Sequence, residues 1–219
     1  MNKKMIKIMA ITLLLISCNI RAETSANTPY FYLISSQEKF IFFAVPKTGY
    51  SSISTMIRDN NNQTNTYFDY IELDNFENYF KFSFIRNPWD RIVSAYLNLI
   101  VTKRYDPFEH LHDQDFDFFV NYIANQDLNN ADIHIRTQRS LIPPKIDYIG
   151  RFEYFHDDLS HILDKIGLHG KEISHLNKSE HLHYSHYYND ITREIIAEKY
   201  KDDIEAFGYK FEMDPLEIE

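Results

Sequence analysis

Two short apolar stretches set the pattern of this chain: Phe40-Ile41-Phe42-Phe43-Ala44-Val45, and Phe82-Ser83-Phe84-Ile85. Runs of this length, rich in aromatic and branched side chains, suit strands covered on both faces. Pro46 cannot donate to a ladder, so the first strand is expected to stop there. Beyond each run the period changes. Ile53, Met56 and Ile57 follow the first at helical spacing, and Trp89, Ile92, Val93, Tyr96, Leu97 and Ile100 follow the second. Each set predicts a helix with one buried face, and Trp89 belongs to that core. A polar stretch, Asn60-Asn61-Asn62-Gln63-Thr64-Asn65, precedes a predicted strand over residues 67–73, and residues 103–113 read as a loop. Phe116, Phe119, Val120 and Ile123 mark one further helix, and Phe155, Leu159, Ile162, Leu163 and Ile166 mark another. Asp190 is the expected cap of a last helix running towards Glu205.

The two strand–turn–helix units differ in chemistry from an ordinary connection. In the first, Gly49 permits a positive φ or close ligand approach, and Ser51 and Ser52 are expected to cap the helix. Free N–H groups at a helix start favour an anion, and Lys47 adds a full positive charge. The pattern GxxxxGK[ST] of nucleotide hydrolases is absent, because Lys47 precedes the glycine. In the second, Asn87 suits an N-cap, Pro88 suits the first helical position, and Asp90 sits in the first turn. Arg86 is expected at the strand end, on the ligand-binding edge of a parallel sheet. Arg91 and Ser94, three apart, share a side of the helix, and an arginine fork beside a hydroxyl suits a phosphate dianion. Two such turns on neighbouring parallel strands make a bed for a ligand with phosphates at two points.

These segments resemble the sulfotransferases that use 3′-phosphoadenosine 5′-phosphosulfate (PAPS), in the carbohydrate-type (family 2) branch. The 5′-phosphosulfate loop of that family is similar to Pro46-Lys47-Thr48-Gly49-Tyr50-Ser51-Ser52. Its 3′-phosphate segment is similar to Arg86-Asn87-Pro88-Trp89-Asp90-Arg91-Ile92-Val93-Ser94-Ala95-Tyr96. Weaker matches follow in order at His134-Ile135-Arg136-Thr137-Gln138, Tyr148-Ile149-Gly150-Arg151-Phe152-Glu153 and His175-Leu176-Asn177-Lys178-Ser179, then from Ile191 through Tyr209. The resemblance covers roughly residues 38–211, within a domain set at 30–213. Tyr50 departs from the small residue expected beside the donor.

The resemblance implies an α/β fold: a three-layer α/β/α sandwich around a small parallel sheet, like that of P-loop nucleotide kinases. It implies a sulfuryl transfer from PAPS to a hydroxyl of a carbohydrate acceptor, a glycan or glycolipid, with no metal. Lys47 would stabilise charge on the leaving group; Pro46, Thr48, Gly49, Tyr50, Ser51 and Ser52 would cradle the 5′ end; Arg86 and Ser94 would hold the 3′-phosphate. Arg151 and Lys178 are further nucleotide contacts on the same grounds. Such transfer asks the protein to position reactants, stabilise developing charge and supply a base for the acceptor hydroxyl. His134 is the first candidate base, followed by Glu153, then His110 and His112.

Composition narrows the partners. One domain with a sizeable core fits 219 residues and 44% hydrophobic content. The net charge is −9, and setting aside the four cations of residues 1–22 takes it to −13. That argues against nucleic-acid binding and against a heavily anionic acceptor, unless Arg136, Arg139, Lys145 and Arg151 form a local basic patch. His169, His175, His181, His183 and His186 invite a metal reading, but with one cysteine and no accompanying carboxylate pattern a solvated acceptor-side loop fits better.

Residues 1–22 carry Lys3, Lys4, Lys7 and Arg21, no acid, and a largely apolar stretch over 8–20. This pattern predicts a secretory signal, a lipoprotein signal with Cys18 in a Leu15-Ile16-Ser17-Cys18 box, or a short membrane anchor. The protein is therefore expected to be exported or membrane-associated, in tension with a donor expected in the cytosol. Two other readings stand beside the first. One is a nucleotide or sugar kinase of the same broad fold, disfavoured by the missing GxxxxGK[ST] pattern and Mg²⁺ carboxylate. The other is a non-catalytic domain that binds nucleotide or glycan at the cell surface. Oligomeric state is not legible in the sequence.

Overall fold

The two apolar runs lie side by side. In the computed structural model, which describes residues 30–58, 64–69, 71–103, 106–170 and 182–214, they form strands β2 (Phe40–Phe43) and β4 (Phe80–Ile85) of one five-stranded sheet. The other strands are β1 (Tyr30–Ser35), β3 (Thr64–Asp69) and β5 (Tyr148–Arg151), in the order β3-β1-β2-β4-β5. Strands β2, β4 and β5 are parallel, with Phe42 opposite Phe82 and Phe84 opposite Gly150. The sheet is mixed, which corrects the expected all-parallel one: β1 runs antiparallel to both of its neighbours.

Helix α1 (Tyr50–Arg58) follows β2, and α2 (Pro88–Tyr96) follows β4. Next come α3 (Phe116–Ala124), α4 (Gln138–Leu141), α5 (Phe155–Lys165), α6 (Asp190–Lys199) and α7 (Lys201–Phe207). Phe40 and Phe42 point to one sheet face, where Ile53, Met56 and Ile57 of α1 and Leu159, Ile162 and Leu163 of α5 cover them. Full burial of each such side chain stabilises by about 1.5–3 kcal/mol. Ile41 and Phe43 point to the opposite face, against Leu73, Phe76 and Tyr79. A second core, containing Trp89, Ile92, Phe119, Ile123, Ile196 and Tyr200, joins α2, α3 and α6 into a helical lobe. Among the described residues, no helix is long and apolar enough to cross a membrane.

Several boundaries differ from the sequence reading for physical reasons. The strand expected at 67–73 lies at Thr64–Asp69, because β1 offers it a ladder that pairs Tyr32 with Tyr67 and Ser35 with Thr64. Leu73 instead opens a 3₁₀ turn that covers the sheet. Within 103–113, a 3₁₀ turn spans Asp106–Leu111 and buries Phe108 and Leu111. Asn189, not Asp190, caps α6: its side chain accepts from Thr192 N at 2.9 Å, and Thr192 Oγ1 accepts from Asn189 N at 3.0 Å. The last helix breaks at Tyr200, whose φ is −109° and ψ 22°. Gly150 is required by contact: a Cβ there would lie 2.6 Å from the Phe84 ring.

Candidate functional site

The parallel strands β2 and β4 deliver turns 46–52 and 86–87 to the same edge of the sheet. Edges of this kind, beyond the carboxyl ends of parallel strands, are where open α/β sheets take ligands. The first turn is conformationally demanding. Lys47 has φ 74° and Gly49 φ 97°, and a Cβ on Gly49 would stand 2.4 Å from the ring of Phe155. Only glycine meets both conditions. Thr48 is fully buried and donates its hydroxyl to Val45 O at 2.8 Å, so its side chain ties the turn to itself. Helix α1 starts at Tyr50 and Ile53 N donates to Gly49 O at 3.1 Å. Gly49 thus takes the cap position expected of a serine, and Ser51 and Ser52 lie inside the first turn, Ser51 exposed and Ser52 buried. That first turn holds no acidic residue, which leaves the partial positive charge of its N–H groups available to an anion. The bulky Tyr50 is accommodated because its ring packs on Phe31 at 4.8 Å and Phe42 at 6.3 Å.

The second turn carries its own helix cap. Asn87 Oδ1 accepts from Trp89 N at 3.1 Å, Pro88 opens α2, and Asp90 sits in the first turn. Trp89 is core, with its indole N–H donating to Arg193 O at 3.1 Å. Arg86 is nearly buried and makes three side-chain hydrogen bonds. Nε and Nη2 donate to Asp90 at 2.7 and 2.9 Å, and Nη1 donates to Lys47 O at 3.2 Å. Its guanidinium lies 4.2 Å from the centroid of Phe152. A guanidinium has five N–H donors, so two remain for a ligand. Ser94 lies one helical turn beyond Asp90 on the same face and is buried, at 8% exposure.

Arg91 corrects the sequence reading. Its side chain is wholly buried and does not form an anion fork with Ser94. Instead Nε donates to Pro46 O at 3.1 Å, Nη1 to Arg136 O at 2.8 Å, and Nη2 to Ile133 O and His134 O at 3.2 and 3.3 Å. Burial pushes its pKa down, while Tyr200 and Asp203 nearby oppose that shift. The same contacts fix His134, the leading base candidate, close to the first turn. His134 Nδ1 meets Asp132 Oδ1 at 2.8 Å, and its side chain is 20% exposed. A carboxylate on Nδ1 selects the tautomer that presents Nε2 as the basic nitrogen.

Glu153, the second base candidate, braces the site: Oε1 accepts from Asn87 N at 2.6 Å and Oε2 from Tyr209 hydroxyl at 3.1 Å. Arg151 lies beside it, donating to Phe207 O and stacking 4.7 Å over Tyr209. Lys178, like His175 and His181, lies outside the described residues. His110 lies in the last turn of Asp106–Leu111 with its ring 5.4 Å from that of Tyr122, and His112 follows that turn, so both sit with the helical lobe.

The four residues of the hoped-for basic patch do not form one. Arg136 donates twice to Ala131 O, Lys145 pairs with Asp74 at 2.6 Å, Arg151 is engaged as above, and only Arg139 is exposed without such a bond. Among the other histidines, His169 pairs with Asp164 and His186 with Asp214. No group of three metal-ligating side chains occurs among the described residues.

Two residues that matter had no assigned role in the sequence. The buried Gln138 clamps the backbone of Arg86 from both sides: Oε1 accepts from Arg86 N at 2.9 Å and Nε2 donates to Arg86 O at 2.8 Å. The buried Asp203 of α7 accepts from Gln138 N and Arg139 N, each at 2.8 Å. Burial raises the Asp203 pKa, and those two N–H bonds pull it back in part. Gln138 falls in a matched segment, but an amide 52 residues from its partner leaves no local signal.

Comparison with known proteins gives the same direction as the geometry. A family model described as the sulfotransferase family matches residues 30–210. Carbohydrate sulfotransferase 14 of Danio rerio is 29% identical over 111 residues, which cover 41% of this chain and 30% of that protein. The chain thus spans under a third of the length of that curated relative. No solved structure matches.

Proposed function

We propose the following reading of a chain that belongs to the sulfotransferase family: it moves a sulfuryl group from PAPS to a carbohydrate hydroxyl by in-line transfer. The observation that carries this reading is the joining of the two turns. Arg86, on the turn after β4, donates to the carbonyl of Lys47, on the turn after β2. One ligand with phosphates at both ends suits that arrangement.

In this reading Lys47 and the N–H groups at the start of α1 hold the 5′ end, where negative charge develops as the S–O bond to phosphate breaks. Arg86 uses its two remaining N–H groups on the 3′-phosphate, with the Ser94 hydroxyl beside it. His134, oriented by Asp132, takes the proton of the acceptor hydroxyl as its oxygen bonds to sulfur. Glu153 and Arg151 hold the second turn and residues 207–209 in place. The fold is read as related to the P-loop nucleotide kinases. The acceptor is read as a sugar without dense negative charge, because Arg136 and Arg151 are bonded to carbonyls of this chain and Lys145 pairs at the surface with Asp74. Residues 1–22 are read as directing export or membrane attachment. Release of residues 23–219 into the medium or their recovery with membranes would support that, and purely cytosolic recovery would overturn it.

Calorimetric titration with adenosine 3′,5′-bisphosphate, with ATP and Mg²⁺ as comparison, tests the donor assignment. Binding that needs the 3′-phosphate and no Mg²⁺ is expected. Preference for Mg²⁺-ATP, or no binding, would overturn it.

A further inference from the structure

A fully buried guanidinium is costly unless every donor is satisfied, and a carboxylate is its usual partner. Arg91 has no carboxylate hydrogen-bonded to it among the described residues. Its four bonds go to carbonyls of two chain segments, Pro46 on one side and Ile133, His134 and Arg136 on the other. Pro46 immediately precedes Lys47, whose positive φ the turn must sustain. The four carbonyls belong to no common strand or helix. Pro46 O and His134 O share one planar group, which holds them within roughly 9 Å of each other.

We propose that Arg91 is a positioning residue that fixes the separation between Lys47 at the donor and His134 at the acceptor, coupling the two halves of the site. This rests on the donor reading above. The two arginines of the second segment thereby divide the work. Arg86 holds Lys47 O and keeps two donors for ligand, whereas Arg91 holds the adjacent Pro46 O and the His134 segment and faces no solvent. A lysine at 91 keeps the charge but, as a point donor on a flexible stem, cannot span both sets of carbonyls. An independent tie exists one step along the chain, where Gln138 binds the Arg86 backbone and Asp203 binds Gln138 N. That second tie makes the role of Arg91 separable from general stability.

Hydrogen–deuterium exchange on the full chain, with and without adenosine 3′,5′-bisphosphate, provides the test. In the wild type, ligand is expected to slow exchange at 44–53 and also at 132–136 and 137–141. In Arg91→Lys, protection at 44–53 and 137–141 is expected to persist while that at 132–136 is lost. Ligand-induced protection of 132–136 that survives in Arg91→Lys would overturn the proposal. Loosening of both segments regardless of ligand would reduce Arg91 to a structural role and equally overturn it. Should Arg91→Lys fail to fold, the wild type decides: protection at 44–53 without protection at 132–136 removes the coupling. No protection at 44–53 removes the donor reading itself, a different failure.

Discussion

The turns after β2 and β4 share a topology and a destination, yet they start their helices in opposite ways. The second carries its own cap: an asparagine, a proline at the first helical position and an aspartate in the first turn satisfy or complement the start of α2, while Gln138 and Glu153 bind the Arg86 and Asn87 backbone from outside. The first holds two positive-φ residues, Lys47 and Gly49, on either side of Thr48, a cap without a side chain, and no acid on its helix. Apart from the bond of Thr48 to Val45 O, its shape comes from outside, from Arg86 on Lys47 O, Arg91 on Pro46 O, and the Phe155 ring against Gly49. A helix start with no acid in its first turn leaves the positive end of its dipole unopposed by a side-chain charge. The comparison teaches that, in the proposed reading, the turn with its own cap would serve as the clamp and the turn without one as the cradle.

Replacing Lys47 by alanine tests the cradle where the proposed transfer would develop charge. Turnover should fall about 10²–10³-fold, with a much smaller change in 3′,5′-bisphosphate affinity; steady-state kinetics beside calorimetry would reveal either, and unchanged turnover removes the role given to Lys47. Gly49→Ala attacks the same turn through its backbone. The Cβ meets Phe155 and the φ of 97° is unfavourable, so stability should drop by about 2–4 kcal/mol in urea unfolding. A tolerant Gly49→Ala would mean that the turn relaxes freely.

Arg86→Ala tests the clamp. Loss of a charged hydrogen bond predicts weakening of bisphosphate binding by about 10–100-fold, with adenosine 5′-monophosphate little affected. Equal losses for both nucleotides would contradict placement of the 3′-phosphate at Arg86. Asn87→Ala should cost about 1 kcal/mol of stability through the lost cap, with added loss from its bond to Lys210 O at 2.9 Å. A larger effect on nucleotide binding than on stability would blur the division between the turns.

The smallest expected effect is a pH dependence. The folded Asp203 pKa lies above its ordinary value because of burial. Its contribution is therefore fully present below the unfolded pKa and is lost as pH rises through the folded one. The stability of the wild type relative to Asp203→Asn should fall as pH rises from below 3.8 and then level off. A pH-independent difference in stepped-pH urea unfolding would show that the carboxylate titrates normally.

Local chemistry carried much of this molecule. The apolar runs at 40–43 and 82–85, the Asn87-Pro88 helix start, the buried role of Trp89 and the faces of α3 and α5 are all written in short windows. There period and capping act over a few residues. Strand β1 was not legible, because Tyr30–Ser35 becomes a strand only between β2 and β3. The motif also named two arginines without distinguishing them. Nothing local separates Arg86, with donors left for a ligand, from Arg91, enclosed by four carbonyls; residues 46 and 133–136 must first be folded against α2.

By itself, then, the sequence determined the elements that satisfy their own backbone, the identity of the residues at the strand edge and the family they resemble. Tertiary structure alone decided which of those residues are consumed as ties: Thr48 on Val45 O, Arg91 on Pro46 O, Gln138 on Arg86, Asp203 on Gln138. The physical reason is that a buried polar group takes whichever partner the fold brings within about 3 Å. Those partners lie from three to 65 residues away along the chain.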